Sequence, residues 1–536
     1  MSGEAPGRQP ILSRSAAGGR NPWLIAVVIS IATFMQVLDT SIANVALQYI
    51  AGSLAASVEE STWVLTSYLV ASAVVLPISG WLSRVVGRKR FYMLCVAIFT
   101  VSSILCALAP NLQVLIFFRV LQGLGGGGMA PSEQSMLADT FPENKRSLAF
   151  AVYGVAVLVA PTVGPTLGGW LTDNLSWHWI FLINGPIGAL SLFLVNWLVS
   201  EPEVLERERR EHIAGGLRVD WIGFILVALF LGCLEIVLDK GQEADWFGSN
   251  FIVFFATVSV VSLVLFVPWE LTHKDPIVDL KLYSYRAFTA ASVMMLAVGA
   301  ILFGTTQLIP QLLQVNYQYS ATLSGLALMP GGLAMLLLMP VVGLLAVRVP
   351  VRYLIAAGMA VTALSMFYMT SLSGTAGFSF YAWARVFQTI GLPFVFIPVT
   401  AVSYHGLPQE KTGEASSLIN VARNVGGSIG ISVATAMLAR GTQVHQNYLV
   451  DHLVPSSPQY QAAIRHATAV LTGQGMAPAS VPTAAIGLIS QTVAQQSALL
   501  AYIDVFRDIG VVALLMVPLA LVLLRAQSPP DSRPAR

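Results

Sequence analysis

Fourteen runs of about twenty mostly apolar residues recur along this chain. They lie near 23–46, 62–83, 91–109, 113–138, 147–171, 178–199, 220–238, 250–271, 288–313, 322–346, 353–371, 380–404, 415–439 and 502–525. At 1.5 Å of rise per residue, a helix of this length matches the roughly 30 Å hydrocarbon core of a bilayer. Lipid offers no partner to a free backbone group, so such runs must close their own hydrogen bonds as helices. The expected fold is an all-α membrane protein embedded in a lipid bilayer. Composition agrees: 10% of the 536 residues are charged and 55% hydrophobic, where a soluble domain carries about 25% charged. A net charge of +2 gives no reason to expect nucleic acid as a partner. Cys95, Cys106 and Cys233 all fall inside apolar runs, with neither disulfide nor metal spacing.

Lysine and arginine placement gives the direction. With a cytoplasmic N-terminus, the inner loops and tails hold 22 of these residues, and the outer side holds only Lys240, Arg440, Arg465 and Arg507. The positive-inside rule then puts both termini in the cytoplasm. Residues 1–22 read as a polar cytoplasmic tail and 527–536 as a second one.

The chain also repeats itself. Arg119-Val-Leu-Gln-Gly-Leu-Gly125 returns 266 residues later as Arg385-Val-Phe-Gln-Thr-Ile-Gly391. Pro77-x-x-Gly80 ahead of Arg84 and Arg88 returns as Pro340-x-x-Gly343 ahead of Arg348 and Arg352. Spans 1–6 thus pair with spans 9–14. The expected units are a six-helix bundle over 23–199, linkers with two inserted helices over 200–287, and a second six-helix bundle over 288–526 carrying an outer loop at 441–501. Two parallel six-helix repeats resemble the major facilitator fold, whose halves rock about a central site.

Charged groups inside the spans are the candidates for function, because each costs several kcal/mol in hydrocarbon. Asp39 lies 16 residues past Trp23, about 24 Å into span 1, and Arg119 about 10 Å from the opposite edge of span 4. The two are therefore expected within about a helical turn of equal depth. They form either a static ion pair or one that a proton can switch, since burial and the arginine push the carboxyl in opposite directions. The basic turn Gly80-Trp-Leu-Ser-Arg84-Val-Val-Gly87-Arg88-Lys89-Arg90 suggests a gate latch as well as a membrane anchor, with Glu133 and Asp139 as expected acceptors. Small residues in Ala160-Pro-Thr-Val-Gly164-Pro165-Thr-Leu-Gly168-Gly169 allow close helix approach in span 5. Glu235, a turn before Asp239, reads better as an interfacial carboxylate than as a proton site. Gln36, Asn44, Trp63, Tyr68, Glu235, Gln307, Gln311 and Arg385 are candidate cavity residues, each with packing as the alternative. The outer segment Gly441–Ala501 is either a set of helical pieces that cap the mouth or dock a partner, or a flexible loop. The Gly125–Gly128 run lacks a Gly-Lys-Ser/Thr ending and follows no strand, so it is not a phosphate loop. No nucleophile–base pair or metal cluster stands out.

The strings LDTSIANVAL, GWLSRVVGRKR, RVLQG, APTVGPTLGG, WHWIFLINGPIG, WELTHKDPIVDL, LIPQLLQ and LPQEKTGEASSL together resemble the fourteen-span drug:proton antiporters of the major facilitator superfamily, EmrB/QacA type. The resemblance covers nearly all of 23–526. It implies export of hydrophobic or amphipathic drugs, driven by the proton motive force with no cofactor. It also implies an EmrA-type periplasmic adaptor and a TolC-type outer-membrane channel. On it, Asp39 is the span-1 acid, Arg119 the span-4 arginine, and Gly164, Pro165, Gly168 and Gly169 the antiporter motif. Two positions depart from the pattern: Arg84 stands where the family usually has Asp, and Ala160 replaces the first glycine. An exporter of fatty acids or a metabolite, and a non-transporting sensor or scaffold, are the alternative readings.

Overall fold

A computed structural model describes residues 21–201, 206, 219–374 and 377–523. The tails at 1–20 and 524–536 and most of the charged connector near Glu201–Arg218 lie outside the described residues. All fourteen expected runs fall on helices. In the first half these are α1 (Pro22–Ser53), the short α2 (Val58–Ser61), α3 (Trp63–Val75), α4 (Ser79–Val86), α5 (Arg88–Ala107), α6 (Leu112–Thr140), α7 (Glu143–Asn174), the short α8 (Trp179–Leu182) and α9 (Asn184–Leu198). The inserted pair is α10 (Trp221–Lys240) and α11 (Asn250–Thr272). The second half has α12 (Arg286–Tyr317), α13 (Ala321–Arg348), α14 (Val351–Met369), α15 (Phe378–Val402), α16 (Thr412–Asp451), α17 (Pro458–Gly473) and α18 (Val481–Leu523).

Among the described residues twelve spans are long and apolar enough to cross a membrane, one of them joining α8 to α9. A thirteenth is made by α3 and α4, which meet at 60°. Pro77 lies at that break, where its missing N–H and ring interrupt the ladder. The fourteenth run lies in α16, a 40-residue helix too polar to pass on hydropathy. Its Gly413, Glu414, Ser416, Ser417, Asn420, Arg423, Gly426 and Gly427 are buried, so these groups face protein and not lipid.

The outer segment is helical, and it extends the spans beside it. Helix α16 continues to Asp451, α17 packs on α18, and α18 begins at Val481, well before the expected start of the last span. The flexible-loop alternative for 441–501 is thereby replaced by a helical projection.

Packing follows the repeat. In the first half α7 lies on α1, and α6 is held between α3 and α5. In the second, α12 lies on α16, and α15 on α13 and α14. The glycine run explains how α6 fits between its neighbours. A Cβ at Gly123 or Gly127 would come within 2.5 Å of the backbone oxygens of Tyr68 and Ser72 on α3, while one at Gly125 would meet Phe99 N on α5 at 2.7 Å. The seam between the halves is carried chiefly by α7 against α13.

Candidate functional site

Asp39 and Arg119 meet as their depths predict. An Arg119 guanidinium nitrogen donates to Asp39 Oδ2 at 2.7 Å, and both residues are buried. Gln122, one turn on from Arg119, donates to Asp39 Oδ1 at 3.0 Å and accepts from Arg119 at 2.8 Å. Asn184, at the start of α9, donates to the same Oδ1 at 2.6 Å and to Ser103 Oγ at 2.9 Å. Arg119 Nε donates to Val64 O at 2.9 Å, and its guanidinium lies 4.4 Å from the centre of the Tyr68 ring. A carboxyl that accepts three hydrogen bonds and donates none, one of them from a guanidinium, has the geometry of an ionised group. Protonating it would cost Arg119 its counter-charge and turn an acceptor into a donor facing donors.

Asn184 was not among the residues expected here. Its signal was an amide inside the apolar stretch Trp179–Leu198, immediately before Gly185-Pro186. Tyr68 belongs to this site as the surface under Arg119, and Gln36 is half-buried one turn before Asp39 on the same helix.

The residues expected at a gate lie, apart from Glu133, at the end of the molecule that carries the basic turn. Gly87, at φ +101°, adopts a backbone that favours glycine and turns the chain from α4 into α5. Arg88 pairs with Asp139 on α6, as expected. Arg84 crosses to the second half and pairs with Glu414 of α16 at 2.5 Å. Gly80 makes this approach possible, since a Cβ there would lie 2.9 Å from Glu414 Cα. Glu133, proposed as an acceptor, does not take part. It is fully buried and accepts from Ser30 Oγ of α1 at 2.5 Å. Six residues separate it from Asp139, or 240° around the helix, so the two acids cannot serve the same turn.

More bonds cross at this end. Ser417 Oγ donates to the carbonyls of Leu76 and Pro77, at the α3–α4 break, at 2.5 and 2.8 Å. Asn420 donates to Gln134 at 2.9 Å, and Arg423 to Tyr153 at 2.8 Å. The two halves are thus closed on each other at the basic end. At the opposite end the bridges are Asn44 to Gln307 at 3.0 Å and Thr322 to Asp173 at 2.9 Å. Asn44 and Gln307 therefore do lie at the seam, and Gln311, one turn on, is half-buried.

Three other expectations are corrected. Trp63 does not face a space between the halves. It borders a groove of about 710 Å³ with Glu59, Glu60, Lys240 and Phe251, between the first bundle and the inserted pair. Glu235 is not at a water interface. It is buried and accepts from Ser428 of α16 at 2.8 and 2.9 Å, because α10 packs against both α3 and α16 and covers it. Arg385 is fully buried inside the second bundle and is screened from the seam by Thr306, to which it donates. Among the described residues no group of three or more His, Cys, Asp and Glu could hold a metal ion.

The antiporter string works as packing on two sides of α7. Gly164 and Gly168 face α1, where added Cβ atoms would meet Ser41 Cβ at 2.5 Å and Ile42 Cγ2 at 3.0 Å. Gly169 is buried beside them, and the helix passes through Pro161 and Pro165 without a break. Thr162 and Thr166 face Gly332 and Gly325 of α13.

Charge reversal at the gate is expected to be reciprocal. Arg84→Glu or Glu414→Arg alone places like charges together and should open the basic end, raising labelling of a cysteine at Ser417 by roughly tenfold. The double swap should return labelling to its starting value. Equal labelling in all three variants would remove the pair from the gate.

Two parallel helical bundles that meet along α7 and α13, the first of them holding a buried Asp–Arg pair, define the architecture of a two-half membrane transporter. A family model described as "Major Facilitator Superfamily" matches residues 29–431. The chain is 40% identical to the multidrug export protein EmrB of Haemophilus influenzae, over 82% of this chain and 85% of that one. It is 37% identical to EmrB of Escherichia coli K12, over 90% and 91%. In fold it is similar to the human organic anion transporter MFSD10, with a TM-score of 0.56 over 93% of this chain and 99% of that one at 12% identity. The chain belongs to the major facilitator superfamily and, within it, to the EmrB-type transporters.

Proposed function

We propose that this protein exports hydrophobic and amphipathic toxic compounds by exchange for protons, through alternating access. The observation that carries the reading is the Asp39–Arg119 pair, a titratable group buried with a permanent cation at the contact of α1 and α6. The names of the EmrB relatives support drugs as the cargo. Protonation of Asp39 frees Arg119, and the freed arginine loosens the Gln122 and Val64 contacts that tie α6 to α1 and α3. The distribution of Lys and Arg supports placing the basic end and both termini in the cytoplasm of the inner membrane. In that placement the present conformation is closed toward the cytoplasm, and the rocking surface is α7 on α13. Imposing an inside-acid pH gradient on everted vesicles should drive uptake of a hydrophobic dye, and an uncoupler should collapse it. Dye uptake that ignores the gradient would refute proton exchange.

We further propose that the helical projection from α16 to α18 docks an EmrA-type adaptor leading to a TolC-type channel. Tyr448, Val444 and Val454 on it are exposed apolar side chains outside the span, which suits a protein partner. Joining Asp451 to Val481 by a short Gly-Ser linker, without α17, should leave vesicle transport within about twofold but abolish resistance in whole cells. Equal loss in both assays would point to a structural role for α17 instead.

A further inference from the structure

We infer that Arg385 forms an anion subsite in the second bundle, which takes the carboxylate of an amphipathic substrate. The inference rests on the transport reading above and adds a substrate class to it. Its basis is the internal repeat, applied residue by residue. At the 266-residue offset Arg119 becomes Arg385, Gln122 becomes Gln388, and Asp39 becomes Thr305. The frame is kept in three dimensions. Arg385 donates to Gln388 Oε1 at 2.9 Å, as Arg119 does to Gln122, and Gln388 Nε2 contacts Thr305 Oγ1, as Gln122 contacts Asp39. Only the carboxylate is missing, and its place is held by a hydroxyl.

Arg385 is consequently a fully buried cation with no Asp or Glu in salt-bridge reach among the described residues. Its Nε has no hydrogen-bond partner, whereas Arg119 Nε is bonded to Val64 O. A guanidinium kept from water without an anion is costly unless something compensates it. The first bundle shows what this Arg–Gln frame accepts, namely a planar carboxylate held by guanidinium and amide together.

The subsite lies one side chain behind the seam. Arg385 also donates to Thr306 Oγ1 at 3.1 Å, and Thr306 is half-buried beside Gln307, which accepts from Asn44 of the other half. Its Cγ lies against Gly331, next to the Gly332 that faces Thr162 across the seam. A ligand carboxylate entering along the seam would displace the Thr306 hydroxyl and pair with Arg385, leaving its apolar tail between the halves. In the first bundle the protein's own Asp39 excludes such a ligand.

The test compares dodecanoate with dodecylammonium and dodecanol, which share one tail, on the full-length protein in proteoliposomes. Arg385→Gln should lower the dodecanoate-to-dodecylammonium affinity ratio by about tenfold, the loss of a charge-assisted contact. Thr305→Asp should do the same by supplying an internal carboxylate at the place that Asp39 occupies in the first bundle. Ratios within about twofold of the parent protein in both variants would overturn the subsite. So would dodecanol binding as well as dodecanoate, or chloride in place of gluconate displacing dodecanoate, since the anion would then be inorganic. Failure of the transport reading looks different: no probe would move with the proton gradient, whatever stands at 385.

Discussion

Asp39→Asn is expected to abolish proton movement on addition of drug to reconstituted vesicles, lowering coupled transport by about 100-fold, or roughly 2.7 kcal/mol on the barrier. Asparagine keeps the shape and removes the charge. Arg119 would lose its counter-ion inside the bundle, and one amide position would present donors to Gln122, Asn184 and Arg119, which are donors themselves. The change therefore removes both the proton and the geometry that reports it. Asp39→Glu keeps the charge but needs an extra methylene in a site closed on all sides, and should keep coupling at a reduced rate. Binding separates this from misfolding: Asp39→Asn should still bind drug, with affinity that no longer changes with pH. Coupled flux persisting in Asp39→Asn would transfer the proton site to Glu133 or Glu235, both buried and both hydrogen-bonded to serine.

The parts of this site that sequence made legible are those fixed by depth. Depth along a span is a matter of counting residues, so Asp39 and Arg119 could be placed near one another before any contact was known. Which direction a side chain faces within its bundle is a different quantity. Glu133 and Asp139 lie on one helix end and were grouped together, yet the helix turns them to opposite neighbours. Glu235 was read as wet because of its position near a span end, and α16 covers it. Partners from the other half were the least legible. Nothing within the basic turn indicates that the acid of Arg84 is Glu414, 330 residues on. Such a pairing is a property of how two bundles dock, and the local pattern around either residue is indifferent to it.

The fold was legible for the same reason that depth was. Apolar length marked all fourteen runs, although the one in α16 falls short of the hydropathy of the other spans because its polar face is turned inward. At 441–501 sequence left helical pieces and a flexible loop as alternatives because the segments are polar, and in three dimensions they are helical, two of them continuing helices already started in the membrane.

Valine at Gly325 is expected to block transport altogether. On α13 this glycine faces Thr166 of α7, and a Cβ there would lie 2.5 Å from Thr166 N and 2.7 Å from its Cα. Those are backbone atoms of a long helix and cannot turn aside. The two helices must separate, which costs about 1–3 kcal/mol in the closed arrangement by the usual penalty for overpacking. A neighbouring glycine supplies the control. At Gly332 an added Cβ meets Thr162 Cγ2 at 2.8 Å and Cβ at 3.1 Å, both side-chain atoms. Gly332→Ala should therefore slow transport severalfold, and Thr162→Ser, which removes Cγ2, should restore most of the rate. Thr166→Ser should restore nothing to Gly325→Val, because the obstacle there is main chain. Gly325 lies three residues from Thr322, whose bond to Asp173 bridges the end opposite the basic turn, so the wedge should hold that end apart and fix the variant with its basic end closed. A cysteine at Ser417 would then label no more than it does in the parent protein. Full transport by Gly325→Val would mean that the seam has slack that these distances do not allow, and the motion would have to be sought along another pair of helices.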